Sequence, residues 1–187
     1  MTSFYDDFEL KELGFRKYGQ NVKISRKASF YGTGNMYIGD NVRIDDFCIL
    51  SGVVHLENNI HIAAYSALFG GTAGITIDSF ANISSRVCIY AISDDYSGNT
   101  MTNPTVPDKY KCIQNEPVHI GKHAIIGSGC TILPGVDIAE GTGIGAMSLC
   151  KKSTEPWKIY AGIPARIIKD RQKEILGLEK EYINEHH

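Results

Sequence analysis

An aliphatic side chain returns every six residues through most of this chain. The series runs Ile38, Ile44, Leu50, Leu56, Ile62 and Leu68, then Ile77, Ile83 and Ile89, then Ile120, Ile126, Ile132, Ile138, Ile144 and Cys150. Four residues after most of these comes a second small or medium side chain: Val42, Cys48, Val54, Ile60, Ala81, Val87, Ala124, Cys130, Val136 and Thr142. A helix would carry residues six apart onto different faces, and one long strand would alternate every second residue, so neither period explains the pattern. Short strands joined by corners do. The first and fifth residues of each hexapeptide then point inward, and the corners take turn-forming residues such as Gly39-Asp40-Asn41, Glu57-Asn58-Asn59, Gly121-Lys122-His123 and Glu140-Gly141. Three hexapeptides close a triangular turn of about 18 residues, and successive turns stack at roughly 4.8 Å. The expected fold is an all-β parallel solenoid.

Coils of this kind are expected at about 20 to 37, 38 to 55, 56 to 76, 77 to 119, 120 to 137 and 138 to 155. Before them, in residues 1–19, Ser3-Phe4-Tyr5-Asp6 has the form of a capping box and residues 8–14 read as a short helix plugging the lower end. After the solenoid, taken as residues 20–165, Pro164 suits a helix start, and Ile168, Ile175, Leu178 and Tyr182 mark one apolar stripe. The spacing therefore predicts a C-terminal helix over 166–187 that caps the upper end. No chemistry is attached to His186 and His187, which suit a native end or a tag remnant equally.

Two coils are too long. The third gains three residues near the glycine-rich run Phe69-Gly70-Gly71-Thr72-Ala73-Gly74. In the fourth, Ile77 and Ile120 stand 43 residues apart, 25 more than a single turn needs. The excess, about residues 92–117, begins Ser93-Asp94-Asp95-Tyr96-Ser97-Gly98. An excursion of this size in a chain otherwise so regular points to function; a tolerated surface insertion or a packing arm is the plainer alternative.

Composition excludes more than it identifies. With a formal net charge of -2 and 43% hydrophobic residues, the 187-residue chain suits one ordinary domain and gives no sign of nucleic-acid binding. It has no apolar run long enough to span a bilayer and no secretory signal, so a cytoplasmic location is expected. Cys48, Cys130 and Cys150 fall on inward columns and read as small core residues, Cys88 and Cys112 read as free thiols, and no Cys-x-x-Cys occurs.

The units Ile126-Gly127-Ser128-Gly129-Cys130-Thr131, Ile138-Ala139-Glu140-Gly141-Thr142-Gly143 and Ile144-Gly145-Ala146-Met147-Ser148-Leu149 resemble the hexapeptide-repeat acyltransferases. The resemblance implies a left-handed parallel β-helix, a homotrimer with active sites between subunits, and acetyl-CoA as acyl donor. The sugar-acetyltransferase branch lays the pantetheine arm of coenzyme A along a ladder of small corner residues, here Ser85, Gly127, Ser128, Gly145 and Ala146. Those residues also suit tight corners and nothing more. Lys152 and Arg166 match where that branch holds the phosphate end, and Lys151 joins them as a cofactor-binding candidate from a C-terminal stretch carrying eight Lys or Arg against six Asp or Glu.

Galactoside and maltose acetyltransferases place a catalytic histidine at the mouth of the long loop, where this chain has Asp94. An amine needs less help from a base than a hydroxyl does, since a peptide α-amino group has a pKa of about 8 and is partly neutral near pH 7. The replacement favours N-acylation, with Asp94 or Asp95 handling the proton and His61 as a second candidate base. The loop phrase, with Met101-Thr102-Asn103-Pro104-Thr105-Val106-Pro107 and with Asp45-Asp46, is similar to N-acetyltransferases of surface-polysaccharide pathways that act on dTDP-4-amino-4,6-dideoxyglucose. That likeness implies a nucleotide-linked deoxyamino sugar as acceptor, used for O-antigen or lipopolysaccharide, with Tyr96 and Asn103 shaping its pocket. No metal is expected. Sugar O-acetylation, a γ-class carbonic anhydrase-like metalloenzyme completed by a neighbour's histidine, and a scaffold without catalysis remain alternatives.

Overall fold

The inward columns pair in the register the six-residue beat demands. In the computed structural model, which describes residues 3–186, Ile38 pairs with Leu56, Leu56 with Ile77, Ile77 with Ile120 and Ile120 with Ile138, all in parallel. The second wall aligns Ile24, Ile44, Ile62, Ile83, Ile126, Ile144 and Tyr160, and the third aligns Phe30, Leu50, Leu68, Ile89, Ile132 and Cys150. Three sheets of six, eight and six strands thus form the walls of one prism. Its interior is a continuous column in which nearly every one of these aliphatic residues is fully buried.

The corners explain how two- and three-residue strands can follow one another. Between the first and second sheets, Asn21, Asn41, Asn59, Phe80, His123, Gly141 and Trp157 all hold positive φ, between 52° and 66°. Asparagine and glycine take that conformation at little cost, so the upper Phe80, His123 and Trp157 are the departures. They are departures because something docks there.

The lower end is plugged as expected by a short helix, α1 (Asp7–Glu12), which buries Leu10 in the core. Its capping box is formed by Asp6 and Glu9 rather than by Ser3 and Asp6, and Glu9 is further held by Arg26. The first strand, Lys17–Tyr18, already belongs to the first sheet, so the solenoid begins slightly before residue 20.

The C-terminal segment corrects two expectations. Residues Lys158–Gly162 and Ala165–Asp170 form an antiparallel hairpin, so the region after 165 begins as strand, and the helix α2 spans only Ile175–His186. Pro164, expected at a helix start, sits with Ile163 in the two-residue turn of this hairpin, and Gly162 at φ 104° ends the strand that enters it. Nor does α2 cap the upper end. Glu179 bonds His123 and Lys122, and Tyr182 reaches Asn59 and packs edge-on against Phe80, so the helix descends along the outside of the corner between the first and second sheets. His123, one of the turn-forming corner residues, is consequently buried beneath it.

The long insertion is closed at its base. Ile92–Ser93 and Gln114–Asn115 pair antiparallel as a two-stranded clip, from which residues 94–113 protrude beside the third sheet.

Candidate active site

Two cavities meet on the upper part of the molecule. One, of about 360 Å³, is lined by Lys151, Lys152 and Arg166 together with Thr154, Tyr160 and Pro164. The other, of about 720 Å³, lies over the third sheet, with Tyr90, Leu133, Pro134 and Leu149 as an apolar floor and Asp94, Tyr96 and Gln114 from the insertion as its rim. Lys151 lies on the wall common to both.

Five of the eight C-terminal cations separate by role. Lys158 pairs with Asp170 inside the hairpin. Arg171 donates to the carbonyls of His123 and Gly141 at 2.8 and 2.9 Å, closing the corner, and burial pushes its pKa down. Lys151, Lys152 and Arg166 are the three that converge on a cavity. Glu155 lines the same cavity, which leaves three cations against one carboxylate.

The two neighbouring aspartates also separate. Asp95 accepts hydrogen bonds from the backbone N–H groups of Ser97 and Thr100 and from the Thr100 hydroxyl, at 2.8 to 3.1 Å. Those bonds, first the ones from Ser97, pull its pKa down to about 2, so it organises the loop and makes a poor base. Asp94 lines both the large cavity and a third, of about 390 Å³, in the loop, and no described residue hydrogen-bonds its carboxylate. Tyr96 shares both cavities and is almost fully exposed. Asn103 lines neither; its side chain is occupied by the backbone and hydroxyl of Thr105, which makes a local turn of it.

The corner between the second and third sheets carries the small-residue ladder. The hydroxyl oxygens of Ser85 and Ser128 stand 3.3 Å apart, and Ala146 continues the column above them. Gly127 is required by contact: a Cβ there would lie 2.5 Å from the nitrogen of Ala146 and 2.7 Å from the carbonyl oxygen of Ile144. At Gly145 a Cβ would meet Ala161 at 3.1 Å. His61 is on another wall, the outer face of the second sheet, where its Nε2 lies 2.8 Å from Asp45, itself bound by Arg43. Within one protomer it lines none of these cavities. No group of three histidine, cysteine or carboxylate residues among those described is placed to hold a metal.

No protein-family model matches the chain. A dTDP-4-amino-4,6-dideoxy-D-glucose acyltransferase of Escherichia coli is 50% identical over 180 residues, covering 95% of this chain and 93% of its own. This chain belongs to the same acyltransferase family. AntD, an N-acyltransferase from Bacillus cereus, solved as its S84C variant with dTDP-4-amino-4,6-dideoxyglucose and coenzyme A, superposes with a TM-score of 0.96 at 51% identity over 99% of both chains. AntD with dTDP and 3-hydroxybutyryl-CoA gives 0.97. The family's fold is the left-handed parallel β-helix, its members are acyltransferases, and their donors are CoA thioesters.

AntD has also been solved as D94N and S84A variants, and this chain carries aspartate and serine at the same numbers. Ser84 was absent from the residues that sequence reasoning selected. It sits half-buried at the start of the ladder corner, donating its N–H to Ile126 and accepting at its carbonyl from Ser66. The available signal was its place, one residue before Ser85, in the coil that carries Asp94.

Proposed function

We propose that this enzyme moves an acyl group, taken here as acetyl, from its CoA thioester to the 4-amino group of dTDP-4-amino-4,6-dideoxyglucose. One observation carries the reading: Lys151 joins a cavity lined by two further cations to a cavity rimmed by the carboxylate of Asp94. Phosphates need the first, and an attacking amine is oriented by the second.

The pantetheine arm would lie along Ser85, Gly127, Ser128, Gly145 and Ala146, with Lys152 and Arg166 holding the phosphate end. Asp94 accepts a hydrogen bond from the sugar amine and directs its lone pair at the thioester carbonyl. The C–N bond forms as the C–S bond breaks, and the proton lost by nitrogen passes through Asp94 to the departing thiolate. Asp95 supports this loop from behind, and Tyr96 borders the acceptor. The apolar floor of Tyr90, Leu133 and Leu149 suits the methyl group of a 6-deoxysugar and disfavours a hydroxymethyl.

The working assembly in this reading is a homotrimer in the cytoplasm, its grooves completed by adjacent subunits, and the product serves surface-polysaccharide synthesis. No helix among the described residues is long and apolar enough to cross a membrane. Thiol release measured with dTDP-4-amino-4,6-dideoxyglucose and with the matched 4-hydroxy sugar tests the chemistry. Turnover is expected with the amine alone; acylation of the hydroxy sugar alone rejects the proposal. The same assay with acetyl-CoA and 3-hydroxybutyryl-CoA ranks the acyl chains.

A further inference from the structure

The six-residue beat fails at two places, and one side chain ties them together. The glycine-rich bulge at 69–74 and the base of the long insertion lie against each other: a Cβ on Gly71, which holds φ 53°, would stand 2.8 Å from Asn115 Oδ1 and 3.1 Å from Ile92 Cβ. Asn115 Oδ1 accepts from the backbone N–H of Ala73 at 3.1 Å, and its Nδ2 donates to the Thr72 hydroxyl. Its backbone pairs with Ile92 in the clip, and the next residue, Glu116, donates to the carbonyl of Ala91 at 2.9 Å.

The bulge is itself anchored. Gly70 donates to Ser51 in the coil below, and Gly74 donates back to Gly70, both at 2.8 Å. The clip has no comparable support from its own length, since two residues per strand make a pairing that is marginal in isolation. Asp94 is the first residue beyond it, and Gln114, opposite Ser93, lines the same cavity as Asp94. The backbone N–H of Ala91 also donates to Phe69 at 2.9 Å, but Asn115 is the clip residue whose side chain reaches the bulge, so a pivot of the clip about that tie moves the start of the loop that carries Asp94.

We propose that Asn115 is the positioning residue for Asp94, locking the base of the insertion to the bulge of the preceding coil so that the carboxylate faces the acceptor cavity. The inference rests on the role of Asp94 proposed above. An asparagine serves because it uses an acceptor on a backbone N–H and a donor on a hydroxyl at once. Aspartate has the same shape and can accept from both Ala73 N–H and the Thr72 hydroxyl, so it retains the tie; alanine removes it.

A double-mutant cycle tests this. Asn115→Ala is expected to lower kcat/KM for the amino sugar about 10-fold or more with KM for acyl-CoA unchanged, and Asn115→Asp to restore most of the loss. Combined with Asp94→Asn, the alanine change is expected to add little, because its effect acts through that carboxylate. Thr72→Val, which removes only the hydroxyl partner, gives a smaller loss of the same kind and serves if Asn115→Ala does not fold. If Asp94→Asn lowers the rate while Asn115→Ala and Thr72→Val leave it unchanged, or if the two losses multiply, the positioning role is wrong. If Asp94→Asn itself has no effect, the failure lies with the role of Asp94, and the inference falls with it.

Discussion

The corner between the second and third sheets is built in two ways along its length. In the lower coils it is filled: Phe47 and Tyr65 stack with ring centres 5.0 Å apart, Lys27 lies over Phe47 and Arg86 over Tyr65, and Asp46 pairs with Lys27. In the upper coils the same positions are Ser128 with Gly129 and Ala146 with Met147, and the backbone edge lies open apart from the Met147 side chain. Strand pairing and interior columns are alike in both halves. The fold asks for inward aliphatics and a turn, and it fixes Gly127 by contact, but either kind of corner satisfies it at Ser128 and Ala146, so their small size is a feature that stability does not require.

Refilling the upper half breaks that comparison most directly. Ala146 is exposed, and Ala146→Phe is expected to leave thermal unfolding within a few degrees of the parent while raising KM for acyl-CoA by about 100-fold, roughly 2.7 kcal/mol. Unchanged donor affinity would place the pantetheine arm elsewhere. The same replacement at Ala64, among the filled coils, should leave the donor KM where it is.

Asp94→Asn comes next. General-base help is worth roughly 100-fold or more, so kcat/KM for the amino sugar should drop by about that factor while the protein melts normally. Asp95→Ala should act differently, loosening the loop and raising KM for the sugar with a smaller effect on kcat. The low pKa of Asp95 gives this contribution a pH signature. Its folded value of about 2 is below the unfolded value of about 3.9, so the loop's order is complete above pH 4 and is lost as pH falls toward 2. Loop order that instead fades near neutrality would contradict the assignment.

Removing cations at the upper end should cost less. Lys152→Ala and Arg166→Ala each remove one charge-assisted contact to phosphate, so KM for acyl-CoA should rise by about 10-fold with kcat little changed, and the difference should shrink at high salt. A fall in kcat without a change in KM would mean that these side chains serve the chemistry rather than the donor's phosphates.

What the sequence disclosed and what it withheld follow from how local the cause is. Ile77, Ile120 and Ile138 repeat because each must face the same interior, and the spacing alone predicts their pairing. The insertion is equally plain, since Ile77 and Ile120 are too far apart for one turn. The path of α2 is not local. It depends on Glu179 meeting His123, 56 residues away, and on Tyr182 meeting Asn59, 123 residues away. Ile168 belongs to the hairpin, while Ile175, Leu178 and Tyr182 belong to the helix, so the stripe that suggested one continuous element joins two. Asp94 and Asp95 are indistinguishable by composition. Only the fold of the loop, which spends one of them on Ser97 and Thr100, separates them.

The two halves of the corner stay in register only if the insertion does not slacken the wall between them, and His119 bears on that point with the smallest expected effect. On the outer face of the first sheet its Nε2 lies 2.9 Å from Asp78, in the coil before the insertion, and its Nδ1 lies 2.9 Å from Asp137, in the coil above. Only the imidazolium has a proton for each carboxylate. Burial by itself would lower the pKa of His119, but the bonds to Asp78 and Asp137 outweigh it and hold the value above that of an ordinary histidine. A raised folded pKa means that the added stability is complete below the unfolded value of about 6.5 and is lost as pH rises through the folded one. The group is half exposed, so solvent limits its worth to about 1 kcal/mol or less. Denaturant unfolding of the wild type and His119→Gln should therefore differ most near pH 5.5 and converge at alkaline pH. A difference that widens with rising pH would mean that the ring is neutral in the folded protein and that the wall is held across the insertion by its strand pairing alone.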